Sequence, residues 1–296
     1  MNNVEIKGPF SYSGNKFRIY KKYLKDMMVG FERIHEPFVG SGVCVYNSKM
    51  GGTGIDIDSN VVALHNSLHD KLLISRIQES FSKFFPNGRT KEGYLKLRED
   101  FNKSFLENGT CKSNVHQLHI LIQLGFNSLL RFGSKGFNTP FGKKDIDFDR
   151  IKLHMRLAQE KNVRISKGIY SDLDLLSMND KDLVYLDPPY VASNFQYGGW
   201  NKSNEIELLA YISKIDEMGI KFILSNTFYH RGKENLELKS WAENFDTLHI
   251  EMSYNSWSAS VSSVEREDNT DEVIITNIPG VLRILQKQEV NAKALF

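Results

Sequence analysis

Residues 181–190 read KDLVYLDPPY, an apolar run that ends in an acid, two prolines and a tyrosine. Proline has no N–H to donate to a β-ladder, so the two prolines end the buried strand that residues 183–186 predict. A strand-ending turn capped by Asp187 explains the prolines but not the whole tetrad DPPY. From average residue usage, this tetrad would occur by chance in roughly one chain of this length per thousand. Asp187 and Tyr190 are therefore predicted to lie at the open end of a buried strand.

Strand-like and helical segments alternate on both sides of this stretch. Residues 60–125 and 206–219 have helical spacing, and a long helical and basic segment separates the second strand from the third. Further strands are predicted within 32–42, 51–60, 162–173, 220–226, 247–254 and 271–277. Strands that alternate with helices predict an α/β fold, with a doubly wound, mostly parallel sheet and an antiparallel hairpin formed by the last two strands. The segment 63–162 is predicted to be an inserted, mainly helical domain, so that 1–62 and 163–296 form the other domain.

The composition excludes several classes of protein. Of 296 residues, 41% are hydrophobic and 25% charged, which is typical of globular domains, and there is no run of 18 apolar residues to cross a membrane. With two cysteines and no secretory signal, the sequence predicts a cytoplasmic protein without a disulfide framework or a metal site. Ten lysines and arginines fall within 131–167, which suits a phosphate-facing surface but is equally compatible with a solvated helix and loop.

Two further motifs follow predicted strands. EPFVGSG, residues 36–42, places glycines where a backbone can approach a ligand, although tight strand-to-helix turns often have this pattern for structural reasons alone. GIDIDSN, residues 54–60, ends the second strand with acids that can accept hydrogen bonds from ribose hydroxyls. We predict that Asp56 binds the ligand, because Asp58 stands where a helix N-cap belongs.

The tetrad suits methyl transfer to an exocyclic amine. The lone pair of such an amine is delocalised into the ring, and a carboxylate and a fixed backbone carbonyl that accept its two N–H groups favour the reactive, pyramidal nitrogen. A neighbouring tyrosine can stack on the base. A sulfonium methyl donor would need positioning and electrostatics rather than a covalent intermediate.

Together these residues resemble a known family. EPFVGSG followed much later by DPPY is similar to the motif pair of S-adenosylmethionine-dependent amino-methyltransferases, and the order of the motifs resembles Dam-like (D12 class, α-group) DNA adenine-N6 methyltransferases. Similar blocks occur at PFSYSGNK (9–16), GFNSLLRFGSKGFNTPFGKK (125–144), SNFQYGGW (193–200) and DEVIITN (271–277). The resemblance implies a Rossmann-like methyltransferase sheet, with 63–162 as the target-recognition domain. It also implies site-specific methylation of a flipped adenine in double-stranded DNA, and it allows for a cognate restriction endonuclease that acts on the same site.

The resemblance also implies residue roles. The S-adenosylmethionine ligands would be Tyr12, Lys16, Phe38, Gly40, Gly42, Asp56 and Asp172. The catalytic residues that hold the target adenine would be Asp187, Pro188, Pro189 and Tyr190. The DNA contacts would be Phe126, Asn127, Leu129, Arg131, Pro140, Lys143 and Tyr197. Phe195 and Trp200 would shelter the flipped base with Tyr197, and Arg131 would read a guanine.

Alternatives remain at this point. N4-cytosine methylation uses the same chemistry, but enzymes of that group more often carry serine before the two prolines. A catalytically inactive DNA-binding module on the same fold is a second alternative, which the intact Asp187 and Tyr190 disfavour.

Overall fold

The computed structural model describes residues 5–12, 14, 16–191, 199–230, 232–250 and 270–281. The chain divides into two compact units, Met1–Leu173 and Asp174–Phe296. Both contain parallel strands next to helices, which confirms the mixed α/β architecture. The division at residue 173 neither matches nor tests the proposed insertion, so the boundaries 63–162 stay a prediction.

The first unit begins with a helical segment, α1, at residues 17–27, whose middle turn Tyr20–Leu24 is π-helical. The later helices are α2 (Val43–Asn47), α3 (Ser59–Ser67), α4 (Leu73–Phe84), α5 (Lys91–Asn108), α6 (Val115–Leu124) and α7 (Phe148–Glu160). The strands are β1 (Arg33–His35), β2 (Thr53–Asp56), β3 (Phe132–Gly133), β4 (Gly136–Phe137) and β5 (Arg164–Lys167).

Strands β1, β2 and β5 run parallel to one another. Glu36, which directly follows β1, forms a parallel bridge with Gly54 in β2, and β2 pairs with β5 in a register that sets Asp56 opposite Lys167. The carboxyl ends of the three strands therefore share one edge. This edge carries the glycine motif, the acidic motif and the turn after β5.

The helices between β2 and β5 pack into one hydrophobic core with residues next to the glycine motif. Val45 and Tyr46 of α2 belong to the same buried cluster as Leu118 and Leu121 of α6. Local sequence sets the helix ends: Thr90 caps α5 by accepting the N–H of Gly93, and the left-handed Gly109 ends that helix. The recognition-like segment and the edge that carries the glycine motif thus rest on a common core.

The second unit contains β6 (Asp182–Leu186), α8 (Lys202–Glu217), β7 (Lys221–His230), β8 (Lys233–Glu234), α9 (Leu236–Ala242), β9 (Asp246–Ile250) and β10 (Thr270–Thr276). Strand β6 is buried along its whole length and runs parallel to β7, as its continuous apolar run predicts.

Strand β10 lies antiparallel between β7 and β9. This confirms the predicted final antiparallel strand and its pairing with the strand that begins near residue 247. Among the described residues, no helix is long and apolar enough to cross a membrane, and no group of His, Cys, Asp and Glu side chains could hold a metal ion.

Candidate active site

The turn between β1 and α2 is built on glycines in the left-handed region. Gly40 has φ of 45° and Gly42 has φ of 65°, a conformation that costs an L-residue strain but is open to glycine. Glu36 is buried, and its carboxylate accepts the N–H of Val45 at 2.6 Å, which fixes the start of α2 to the end of β1. The motif EPFVGSG therefore folds as a buried to half-buried turn whose two ends are tied together.

Asp56 joins this turn to the end of β2. One carboxylate oxygen accepts the N–H of Gly40 at 3.0 Å, and the other accepts the N–H of Asp58 at 2.9 Å. Burial raises the pKa of Asp56 to about 6. Asp58 accepts the N–H of Asn60 and caps α3, which confirms the expected capping role. Each oxygen of Asp56 retains a second acceptor site for a ligand hydroxyl.

The segment before α1 covers the glycine turn. A Cβ at Gly40 would lie 3.2 Å from the ring of Tyr12, so that ring lies directly over the turn. The Lys16 ammonium donates instead to the carbonyl of Gly14 at 3.2 Å. Gly8 packs so tightly on Ser41 that an added Cβ would lie 2.1 Å from the Ser41 carbonyl oxygen. Tyr12 is thereby brought to the predicted cofactor turn.

An aromatic pair and a third acid complete this edge. The ring of Phe38 stacks on Tyr170 with centroids 5.6 Å apart and planes at 26°. Asp172 is exposed and its carboxylate accepts the N–H of Ile169, which shapes the turn after β5. Ile57 and Ile169, at the same edge, expose 68% and 51% of their surface. Apolar side chains beside carboxylates fit a ligand that combines an aromatic base with a hydroxylated sugar.

The DPPY tetrad follows β6 in the second unit. Asp187 is half-buried, and the hydroxyl of Tyr190 donates to its carboxylate at 3.3 Å. Pro188 is buried and Pro189 half-buried. Asp187 thus directly follows the last residue of a fully buried parallel strand, as predicted.

A buried polar network lies between α8 and β7. The carboxylate of Glu205 accepts hydrogen bonds from Asn226 at 2.9 Å, Asn235 at 3.0 Å and the indole N–H of Trp200 at 3.1 Å. Trp200 is therefore held by the protein's own side chains. Phe195 and Tyr197, the other two predicted base-covering aromatics, lie outside the described residues.

The predicted DNA-binding segment folds back on itself in the first unit. The N–H of Phe126 donates to the carbonyl of Pro140 at 2.7 Å, which brings residues 125–129 beside 138–142. Asn127 and Ser128 have φ of 55° and 53°, and this strained turn leaves the ring of Phe126 55% exposed. Phe126, Asn127 and Pro140 thus form one exposed surface.

Arg131 and Lys143 lie in the same segment. Arg131 is exposed at the base of the β3–β4 hairpin and donates from Nε and Nη2 to Asn138, at 2.6 and 3.1 Å. Those two bonds use one edge of the guanidinium. The second edge, formed by Nη1–H and the other Nη2–H, can bond another pair of acceptors. Lys143 is exposed, whereas Leu129 is half-buried and its carbonyl accepts the hydroxyl of Thr139.

Comparison with known proteins decides the family. A model of the D12 class N6 adenine-specific DNA methyltransferases matches residues 12–256, which include both the glycine turn and the tetrad. The chain belongs to this family. The match confirms the resemblance expected from the motifs.

Named relatives agree with this assignment to the D12 class. The chain is 26% identical to the type II methyltransferase M.FokI of Planomicrobium okeanokoites over 93% of its own length and 43% of that protein. It is 26% identical to the DNA adenine methylase of Escherichia coli K12 over 93% of its length and 97% of that protein. The chain spans less than half the length of the first relatives it matches, M.FokI and the modification methylases StsI and LlaI.

Sequence reasoning missed some side chains at the edge of this D12 member. Tyr170 is two residues before Asp172, and its aromatic character next to a predicted acid was a usable signal. His65 and Tyr46, by contrast, contact the glycine turn from helices, and a lone histidine in an apolar helix is ordinarily read as core. Their contacts with each other and with the turn became visible only in the folded structure.

Proposed function

We propose that this chain is a DNA methyltransferase that transfers a methyl group from S-adenosylmethionine to N6 of adenine in double-stranded DNA. The observation that carries the proposal is the family match across residues 12–256, together with an intact DPPY tetrad directly after the buried strand β6. The Rossmann-like sheet, the target-recognition role of 63–162 and a cytoplasmic location belong to the same proposal.

The cofactor would be held by the strand-end edge of the first unit. The backbone of Gly40 and Gly42 would lie against its methionine part under Tyr12, and Asp56 would accept its ribose hydroxyls. The cofactor's adenine would lie near Phe38 and Asp172. The roles of Gly42 and Lys16 follow the same assignment, although Lys16 would have to leave the Gly14 carbonyl to reach a ligand carboxylate.

The bound cofactor supplies a methyl group on a positively charged sulfonium, whose charge is lost on transfer. Asp187 and the carbonyl of Pro188 would accept the two N–H groups of the target amine, which directs its lone pair out of the ring. Proline at 188 and 189 restricts the backbone and adds no competing donor. Tyr190, whose hydroxyl bonds Asp187, would both orient that carboxylate and pack on the base.

DNA would be bound through the exposed part of the recognition-like segment. The exposed ring of Phe126 would enter the space left by an extruded nucleotide, and the second guanidinium edge of Arg131 would bond the O6 and N7 atoms of guanine. Asn127, Leu129, Pro140 and Lys143 would complete the surface, and Tyr197 is proposed separately as a DNA contact. Relatives named as modification methylases favour a cognate restriction endonuclease as a partner acting on the same site.

A methyl-transfer assay on duplex DNA with labelled S-adenosylmethionine tests the proposal. N6-methyladenine in the digested product is the expected result. N4-methylcytosine would instead favour the cytosine alternative, and DNA binding without product would favour an inactive binding module.

Asp187→Ala tests the assignment of the tetrad. Loss of the carboxylate removes an acceptor of the target amine, so we expect methyl transfer to fall at least about a hundredfold while cofactor and DNA binding stay near the wild-type values. Asp180→Ala is the matched control, because Asp180 is an exposed carboxylate just before the same strand. Wild-type turnover in the Asp187 variant would refute its role.

A further inference from the structure

The peptide units of Gly40 are held from both sides. Its N–H donates to Asp56 at 3.0 Å, and its carbonyl is 2.9 Å from Nε2 of His65, which projects from α3. A glycine at φ of 45° has no side chain to restrict its backbone, so these two bonds fix the orientation of the adjoining peptide planes.

The chemistry of the contact sets the state of the histidine. A carbonyl can only accept, so Nε2 must carry the proton and Nδ1 must be the acceptor in the neutral ring. The hydroxyl of Tyr46 lies 3.2 Å from Nδ1 and donates to it. His65 is 1% exposed, and burial lowers its pKa to about 4, so the ring stays neutral near pH 7.

Packing fixes the ring in this position. Phe10 lies 4.9 Å from the His65 ring centroid, and Tyr46 stacks on the same ring at 5.7 Å with planes 16° apart. His154 of α7 packs its ring edgewise on Tyr46 at 5.1 Å. The donor atom of His65 is thus held by side chains from three separate segments of the chain.

We propose that His65 is a positioning residue for methyl-donor binding, through a directed chain from the Tyr46 hydroxyl to Nδ1 and from Nε2–H to the Gly40 carbonyl. This inference rests on the proposed function of the glycine turn as the cofactor site. His65 does not touch the cofactor; it holds the peptide that does. Loss of the donor lets the Gly40 peptide rotate, and the turn then presents a mixture of backbone orientations to the ligand.

Calorimetric titration with S-adenosylmethionine, in the absence of DNA, tests this on three variants. His65→Leu removes the donor and is expected to weaken binding about tenfold, the factor of a single lost hydrogen bond to a backbone group. His65→Gln retains an amide N–H near the position of Nε2 and is expected to stay within about threefold of wild type. His119→Leu is the matched control, because His119 is a 2% exposed histidine of the same core that bonds Ser67 and not the glycine turn.

The control should lower the melting temperature without changing the affinity. Equal losses in the Leu and Gln variants at position 65, or an affinity of His65→Leu within twofold of wild type, would overturn the inference. Nitrogen NMR of the wild-type histidine rings gives a second test without cofactor. His65 must show a protonated Nε2 and an unprotonated Nδ1, and the opposite tautomer contradicts the assignment. If the wild-type chain binds no S-adenosylmethionine while the tautomer is as expected, the proposed function fails instead.

Discussion

Asp56 is the residue whose ionisation the proposed cofactor site depends on most directly. Its pKa is raised by burial from an ordinary value of 3.8 to about 6, so the folded protein binds its proton more tightly than the unfolded chain does. Ionising the buried Asp56 therefore lowers the free energy of unfolding of the unliganded protein. This loss is absent below about pH 4, grows between about pH 4 and 6, and is constant at higher pH.

Cofactor affinity is expected to follow the ionised form of Asp56. A carboxylate can accept ribose hydroxyls while it holds Gly40 and Asp58, but a protonated acid offers one acceptor fewer. Binding of S-adenosylmethionine should weaken below pH 6, by at most about tenfold per pH unit, until it reaches the affinity of the form with a protonated Asp56. Calorimetry between pH 5 and 7.5 measures this, with Asp56→Asn as a weak-binding variant without the pH dependence. A flat wild-type profile would contradict the role.

At the residue scale, sequence reasoning separated Asp56 from Asp58 because a helix N-cap has a local signature. The same logic did not reach Tyr46 or His65, whose significance comes from contacts 19 and 25 residues apart along the chain. Local patterns reveal caps and turns, whereas a buried donor aimed at a turn from a neighbouring helix leaves no local pattern.

The element that we expect to read the DNA sequence is the folded-back segment 125–142. Its exposed turn and the β3–β4 hairpin are held by Tyr94, whose hydroxyl donates to the carbonyl of Thr139, and by Asn102, which bonds the backbone of Phe137. Because α5 supplies both anchors, the segment is tied to a long helix even though β3 and β4 have two residues each.

Arg131→Ala should relax or abolish the choice of target sequence more than it weakens nonspecific DNA binding. The guanidinium is oriented by Asn138, and one bidentate arginine–guanine contact is worth about 1–3 kcal/mol of discrimination. Methylation rates on a library of duplex sites measure the effect. Lys135→Ala changes an exposed cation in the same hairpin and is the control. An unchanged site preference in the Arg131 variant would show that another residue reads the base.

The strands were largely predictable at this scale, because buried apolar runs with glycine, proline or acidic ends have few other interpretations. The antiparallel pairing of β9 and β10 followed from their order along the chain. The π-helical turn in α1 was not predicted, because the apolar residues of 17–27 recur at ordinary helical spacing and nothing in their pattern marks a π-turn. Helix α9 was also missed: only Asn235, which accepts the N–H of Leu238, marks its start.

On the scale of the whole molecule, a net charge of +2 gives no sign of a polyanionic partner. In the folded chain, some of the clustered cations of 131–167 bond the protein's own backbone, and others are exposed. Arg150 donates to the carbonyl of Gly8 and Lys161 to the carbonyl of Tyr46, whereas Arg131 and Lys143 are exposed. Only part of the basic cluster is therefore available to bind phosphates.

The salt dependence of DNA binding should report this division. Lys143→Ala is expected to lower the slope of log K against log salt concentration by about 0.9, the contribution of one phosphate contact. Lys96→Ala is the control, because Lys96 pairs with Glu92 on the surface of α5. Fluorescence anisotropy between 50 and 300 mM salt measures both slopes, and equal slopes in the variant and the wild type would exclude a phosphate contact for Lys143.

The bond between Arg150 and Gly8 spans 142 positions of the chain. During synthesis, the backbone of Ile6 in the segment that covers the glycine turn can bond Asn47 of α2 early, but the tie from Arg150 must wait until α7 has left the ribosome. Until then Phe10 can pack on His65 without the added tie from Arg150, so the segment is held by fewer bonds in the nascent chain than in the folded protein. A long-range tie of this kind slows folding, since the loop must close before the contact can contribute.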